Sequence, residues 1–170
     1  MCDAIKRALE VAVGHATTIQ ELGDGLISVI CGKIQFDRLN IGLVDERLRL
    51  FEDAYVYGAN VAGRQQGNVR TLDGTVVEAA IEAKDGCHFG STEKQAWIER
   101  FPNFGPVFES GMRAMLAVPV TSHDRTVAAL VLASSDAQAY DAGSLAIAQA
   151  AAQALQQSIP ILFRAGGTTA

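Results

Sequence analysis

"GMRAMLAVPV", Gly111 to Val120, is the stretch whose reading decides the fold. It has the length of a strand, yet it does not alternate apolar with polar. After Arg113 both sides are apolar, and Pro119 stands near the end. A second strand, 126–134, is apolar on both sides too, and "TSHDR" (121–125) joins the two as a hairpin loop. A hairpin of this kind belongs to an antiparallel sheet. Strands apolar on both sides require that sheet to be covered on both faces. Arg113, at the strand's entrance, is then expected near the rim of any cavity under the cover.

Outward from this hairpin, the other elements follow from period and punctuation. "DAIKRALEVAVGHA" (3–16) puts Ile5, Ala8, Leu9, Ala12, Val13 and Ala16 on one helical face, with Asp3 as N-cap. "TIQE" (18–21) has capping-box spacing and opens a second helix through Leu22, Leu26, Val29, Ile30 and Ile34, although Gly23-Asp24-Gly25 weakens its first turn. "RLNIGLVD" (38–45), a turn at "DER" and "LRLFEDAYVYG" (48–58) read as a hairpin with Leu39, Ile41 and Leu43 inward. A glycine loop and a short strand in "GNVRTL" (67–72) follow. A helix over 74–83 is capped by Asp73 and stopped by Gly86. Residues 87–110 have no steady period. They hold the one tryptophan, Trp97, and four of the seven phenylalanines, and read as loops with short helices near 92–100 and 105–110. The last helix, 143–163, carries Leu145, Ala148, Ala152, Leu155 and Ile159 on one face, and Pro160 is expected to kink or end it. Residues 1–165 read as one domain, with an N-terminal helix over 1–16 and a disordered tail at 166–170.

Size and composition bound the function. A chain of 170 residues buries roughly 70% of its unfolded surface and needs no metal or disulfide to hold it. Hydrophobic residues make up 49% and charged residues 19%, with a net charge of −5 and a pI near 5.1. That balance leaves no basic excess to neutralise a nucleic-acid backbone, so nucleic acid is not an expected partner. Cys2, Cys31 and Cys87 are an odd, scattered three, not a disulfide framework, and Cys31 lies in an apolar helical pattern that reads as core. No apolar run approaches the 18 residues of a membrane span. The expectation is a cytoplasmic protein.

Several stretches, taken in order, resemble the GAF domain, the small-molecule sensing module of bacterial signalling proteins and cyclic-nucleotide phosphodiesterases. They are "FDRLNIGLVD" (36–45), "RTLDGTVVEAAIEAKDG" (70–86), "ESGMRAMLAVPV" (109–120) and "RTVAALVLASSDAQAYDAGSLAIAQAAAQAL" (125–155), and the likeness spans about residues 17–159. The resemblance implies an α+β fold with a central antiparallel sheet of five or six strands. The terminal helices lie on one face, and loops and short helices form a pocket on the other. It also implies a homodimer paired through the N- and C-terminal helices, whose alanine-rich faces suit close approach. On that expectation Ala152→Glu weakens self-association.

Chemical signatures are sparse. Cys87-His88 suggests the cysteine-histidine pair of bilin-binding relatives, but there the pair lies on the helix just before the central strand. Here that helix reads "PVFESG" (106–111), and the accompanying Asp-Ile-Pro is absent. Relatives that reduce free methionine sulfoxide need neighbouring cysteines, and here only Cys87 lies in the pocket region. His15, His88 and His123 have no metal-ligand spacing, and no nucleophile elbow or phosphate loop is present. The pocket candidates are Tyr55, Tyr57, Arg70, Trp97, Phe101, Phe104, Phe108 and Arg113. The aromatics supply apolar wall, and an arginine can pair with a carboxylate or phosphate. The expected function is a sensory or regulatory GAF domain that binds an unidentified small molecule. It would not be an enzyme and would act on an output domain of the same or another signalling protein; the sequence itself calls for no cofactor and identifies none.

Overall fold

The computed structural model describes residues 2–166; of the tail expected at 166–170, Gly166 is the last residue of the C-terminal helix and 167–170 lie outside the described residues. Two helices open the chain, α1 (Cys2–Gly14) and α2 (Ile19–Ile30). They are followed by β1 (Arg38–Asp45), β2 (Leu50–Gly58), β3 (Val69–Thr71), α3 (Val76–Ala83) and β4 (Cys87–Gly90). Then come α4 (Lys94–Arg100), a 3-10 turn (Pro102–Phe104), α5 (Gly105–Glu109), β5 (Ala114–Ser122), β6 (Arg125–Ser134) and α6 (Ala142–Gly166). The six strands form one antiparallel sheet in the order β3-β2-β1-β6-β5-β4. β5 and β6, apolar on both sides, lie inside the sheet, where they must be covered twice.

Two apolar layers provide that cover. On the back, α1, α2 and α6 pack Leu9, Leu26 and Leu155 against Leu39, Ile41, Leu116 and Leu130. On the front, α3, α4, α5 and the 3-10 turn pack Val77, Trp97, Phe104 and Val107 against Phe51, Met115, Ala117 and Val131. This is the α+β architecture expected from the sequence, with six strands.

Several local expectations change, each for a physical reason. α3 is capped by Thr75, whose Oγ1 accepts from Glu78 N at 3.2 Å, while Asp73 pairs with Arg49. The helix stops at Lys84, which takes φ 65°, before Gly86 is reached. Cys31 is exposed because α2 ends at Ile30, so the apolar period does not carry through it. Residues 87–90 pair with β5 as an edge strand. The hairpin loop at "TSHDR" shrinks to two residues. His123 and Asp124 both take positive φ, as a tight turn matched to strand twist requires. β2 starts at Leu50, since Arg49 at φ 56° belongs to the turn. α6 runs through Pro160 to Gly166. Ala152 is buried within its own subunit, so a charge there would test folding and not association.

The Gly23-Asp24 pair, which weakens the helix in sequence, has a tertiary cause. A Cβ at Gly23 would lie 2.4 Å from the Tyr55 ring, and the Tyr55 hydroxyl donates to Asp24 Oδ1 at 2.8 Å. Alanine gains about 1 kcal/mol over glycine in a helix interior, whereas overpacking a core contact costs about 1–3 kcal/mol. The ring is buried and its hydroxyl is tied to α2, so the cost wins. Gly23→Ala is expected to lose about 1 kcal/mol in urea unfolding. Gly14→Ala, where an added Cβ would meet no described atom within 4 Å beyond its own stretch of helix, is expected to lose nothing. A more stable Gly23→Ala would show that Tyr55 is free to move.

Candidate functional site

The front layer encloses a cavity of about 20 Å³ between β1, β2, β3, α3, α5 and the loop at 59–68. That is room for a water-sized group. Much of its wall is apolar, including Phe51, Val61, Val76, Val107 and Val131. Into this wall the fold brings three arginines and an asparagine: Arg38 and Asn40 from β1, Arg64 from the loop and Arg70 from β3.

The charges are held by a dense set of bonds. Asp53, fully buried on β2, takes both Nη atoms of Arg70 on its two carboxylate oxygens, the second at 3.0 Å. Asn40 Nδ2 donates to the same carboxylate. Arg38 donates to two carbonyls of the loop, Ala59 O at 2.7 Å and Arg64 O. Arg64 Nη2 donates to Asn103 O at 2.5 Å, and its guanidinium stacks 4.6 Å from the centre of the Phe104 ring. Arg70 lies 4.8 Å over Phe51. The loop therefore closes over the cavity by arginine-to-carbonyl bonds, with Val61 buried beneath it.

Three guanidinium groups against one carboxylate leave the cluster electropositive. Burial pushes the Arg64 guanidinium down to about 10, helped by the nearby charge of Arg70, with Asp53 opposing. Burial also lowers Arg38, partly offset by Asp53. Both stay protonated at neutral pH. Among the described residues, two buried donors of the cavity lining have no hydrogen-bond partner, Arg64 Nη1 and Arg70 Nε. Among the described residues, no three His, Cys, Asp or Glu side chains converge as a metal site would require.

Of the sequence candidates, the structure brings Arg70 and Phe104 to the cavity wall. Phe101 packs behind Phe104 at 5.6 Å. Trp97 is fully buried as a plug between Phe89 and Phe108, its Nε1 donating to Ser91 O at 2.8 Å. Arg113 is not part of the wall. It donates to the carbonyls of Phe108 and Met112 and lies 3.8 Å over the Phe108 ring. Tyr55 and Tyr57 face the back layer, where Tyr55 meets α2 and Tyr57 meets Phe36.

The tyrosines change face because of a bulge. Ile41 pairs with Tyr55 and Gly42 with Asp53, so Ala54 has no partner on β1. One extra residue shifts the alternation by one. Phe51 and Asp53 therefore point forward, and Tyr55 and Tyr57 point back. The residues that sequence reading missed are polar groups on three different segments: Arg38 at the start of β1 with Asn40 two residues on, Asp53 inside β2, and Arg64 in the loop. The spacing of Phe51 and Asp53 on one side of β2 was the signal available, but it pointed equally at Tyr55.

The GAF domain family model matches residues 19–159. No curated protein matches the chain. Among solved structures, the chain is similar to the GAF domain of an Acinetobacter phosphoenolpyruvate-protein phosphotransferase (16% identity, TM-score 0.76, 98% of each chain covered). It is also similar to the GAF domain of a two-component sensor histidine kinase from Bacillus halodurans (16%, TM-score 0.74, 89% of this chain and 99% of that one). A third is the free methionine-R-sulfoxide reductase from Neisseria meningitidis in complex with its substrate (16%, TM-score 0.73, 96% and 91%). These likenesses concern the fold. Because the family match spans most of the sequence, the chain belongs to the GAF domain family.

Proposed function

We propose that this GAF domain is a sensory module that binds a small molecule in the front cavity and passes the event to its terminal helices. The observation that carries this reading is the enclosed cavity with two unpartnered arginine donors, under a loop fastened by hydrogen bonds. A ligand that binds one arrangement of loop 59–68 better than another shifts the population toward it. The route to the back runs through the bulge. Asp53 holds Arg70 in front, and two residues on Tyr55 holds Asp24 of α2 behind. A coupling of about 1–3 kcal/mol is typical for such linkage.

The terminal helices would form a homodimer that conveys the signal to an output domain. α1 presents an exposed apolar stripe of Ala4, Ala8 and Val11, and Ile147 of α6 lies beside its Ala4–Ala8 end. A non-enzymatic role fits the thiol of Cys87, which burial pushes up and so away from the nucleophilic thiolate.

A thermal-shift screen over nucleotides, amino acids and aromatic acids tests the sensor reading. A ligand at 100 times its Kd stabilises by about 2.7 kcal/mol, a rise of roughly 5–10 °C at this size. No response from any compound class would leave a dimerisation scaffold in its place. For the dimer, Val11→Glu is expected to weaken self-association at least tenfold in sedimentation, with the fold intact. A variant as dimeric as the parent would exclude this helix face.

A further inference from the structure

We infer that the cavity's ligand is a small oxyanion, a carboxylate or phosphate carried on a compact apolar body, received by Arg64 and Arg70. This rests on the sensor reading of the same cavity and names the ligand's chemistry.

Charge comes first. The groups that meet at the cavity are Arg38, Arg64 and Arg70 with Asp53, and among the described residues no second carboxylate contacts these arginines. Two positive charges therefore stay without a counter-ion in a site that is almost wholly out of water: Arg38 is 7% exposed and Arg64 6%. Buried charges are ordinarily paired, because an unpaired one loses its hydration with nothing in return.

Direction comes second. Arg38 spends its bonds on the loop carbonyls, and Arg64 spends Nη2 on Asn103. The unpartnered donors, Arg64 Nη1 and Arg70 Nε, belong to two residues that line the same cavity. Two guanidinium N–H groups are the donor set that a carboxylate or phosphate accepts. A neutral amide would satisfy the hydrogen bonds but leave the charge.

Size comes third. A volume of about 20 Å³ admits an atom or two, so the body of the ligand enters only when the loop at 59–68 moves outward with Val61 and Arg64. Because Arg64 belongs both to that loop and to the anion's donor set, the anion would pull the loop to a new rest position. Binding and loop movement become one event.

The test is a titration of the full chain at constant ionic strength with sodium benzoate, sodium succinate, sodium phosphate and, as the neutral counterpart, benzamide. Melting temperature and the guanidinium ¹⁵N–¹H signals of Arg64 and Arg70 are read together. At least one anion is expected to raise Tm saturably and to shift both guanidinium signals. Benzamide is expected to do neither. Response to the carboxylates alone or to phosphate alone assigns the source of the oxyanion. Arg64→Met, which keeps the apolar stem, is expected to weaken that binding at least tenfold, and Arg64→Lys to restore part of it. Should Arg64→Met not fold, the two guanidinium signals in the parent chain decide. Equal binding of benzamide and benzoate, or parent-like affinity in Arg64→Met, would overturn the oxyanion class and leave a small-molecule sensor standing. No response to any of the three anions would overturn it as well, and the broad screen described above then judges the sensor reading separately.

Discussion

Asp53→Ala is expected to destabilise the domain by about 3–5 kcal/mol, the cost of stranding buried charge when one partner of a pair is removed. Asp53 is fully buried, receives Arg70 through both Nη atoms and accepts from Asn40. Its loss leaves three guanidinium groups facing one another in the cavity wall, and Asn40 without its acceptor. At about 2–4 °C per kcal/mol for a chain of this length, Tm falls by roughly 10 °C. Urea unfolding measures the free energy directly. The double variant Asp53→Ala/Arg70→Met is expected to be more stable than Asp53→Ala alone, because it removes one of the stranded charges and leaves an apolar side chain. A loss below about 1 kcal/mol in Asp53→Ala would mean that the arginines do not depend on this carboxylate. The charge argument for an anionic ligand would then weaken with it. If the oxyanion inference holds, the Asp53→Ala variant should also bind the anion more tightly than the parent, since one competing negative charge is gone.

Trp97→Ala is expected to cost a similar amount, about 3–5 kcal/mol, by a different mechanism. The indole is fully buried, stands edge-on to Phe89 at 5.4 Å between ring centres and to Phe108 at 6.1 Å, and closes its N–H onto Ser91 O. Truncation opens a void that the surrounding rings cannot fill and leaves the Ser91 carbonyl without its donor. Trp97→Phe keeps most of the packing and loses the hydrogen bond, so its cost should be nearer 1–2 kcal/mol. Urea unfolding of the two variants separates packing from bonding. A Trp97→Ala loss under 2 kcal/mol would show that α4 collapses onto the gap. Since Trp97 is not in the cavity wall, response to the anion should persist in Trp97→Phe.

Sequence and structure agree on architecture and divide on the site. The apolar runs of β5 and β6 require a doubly covered antiparallel sheet whatever covers it, and helical period marks α1, α2 and α6 as amphipathic helices; that α2 joins the terminal helices in one layer is seen only in the structure. Arg70 and Phe104 were within reach of sequence reasoning because an arginine on a short strand and an aromatic in an irregular cover both suit a cavity. Tyr55 and Trp97 suit one equally well by type. Nothing in the residue types separates wall from plug, or front from back.

What the sequence determined by itself is whatever depends on local period and on composition: the layered fold, its helices and hairpins, and a front cover built without long regular elements. Only the tertiary structure decided the site. Ala54 has no partner on β1, and that one-residue slip, invisible in the alternation of "LFEDAYVYG", sends Asp53 to the cavity and Tyr55 to α2. Arg38, Arg64 and Arg70 come from a strand start, a loop and an edge strand. They become one electropositive cluster only when the sheet's hydrogen bonds bring those segments together, because charge acts through space and not along the chain.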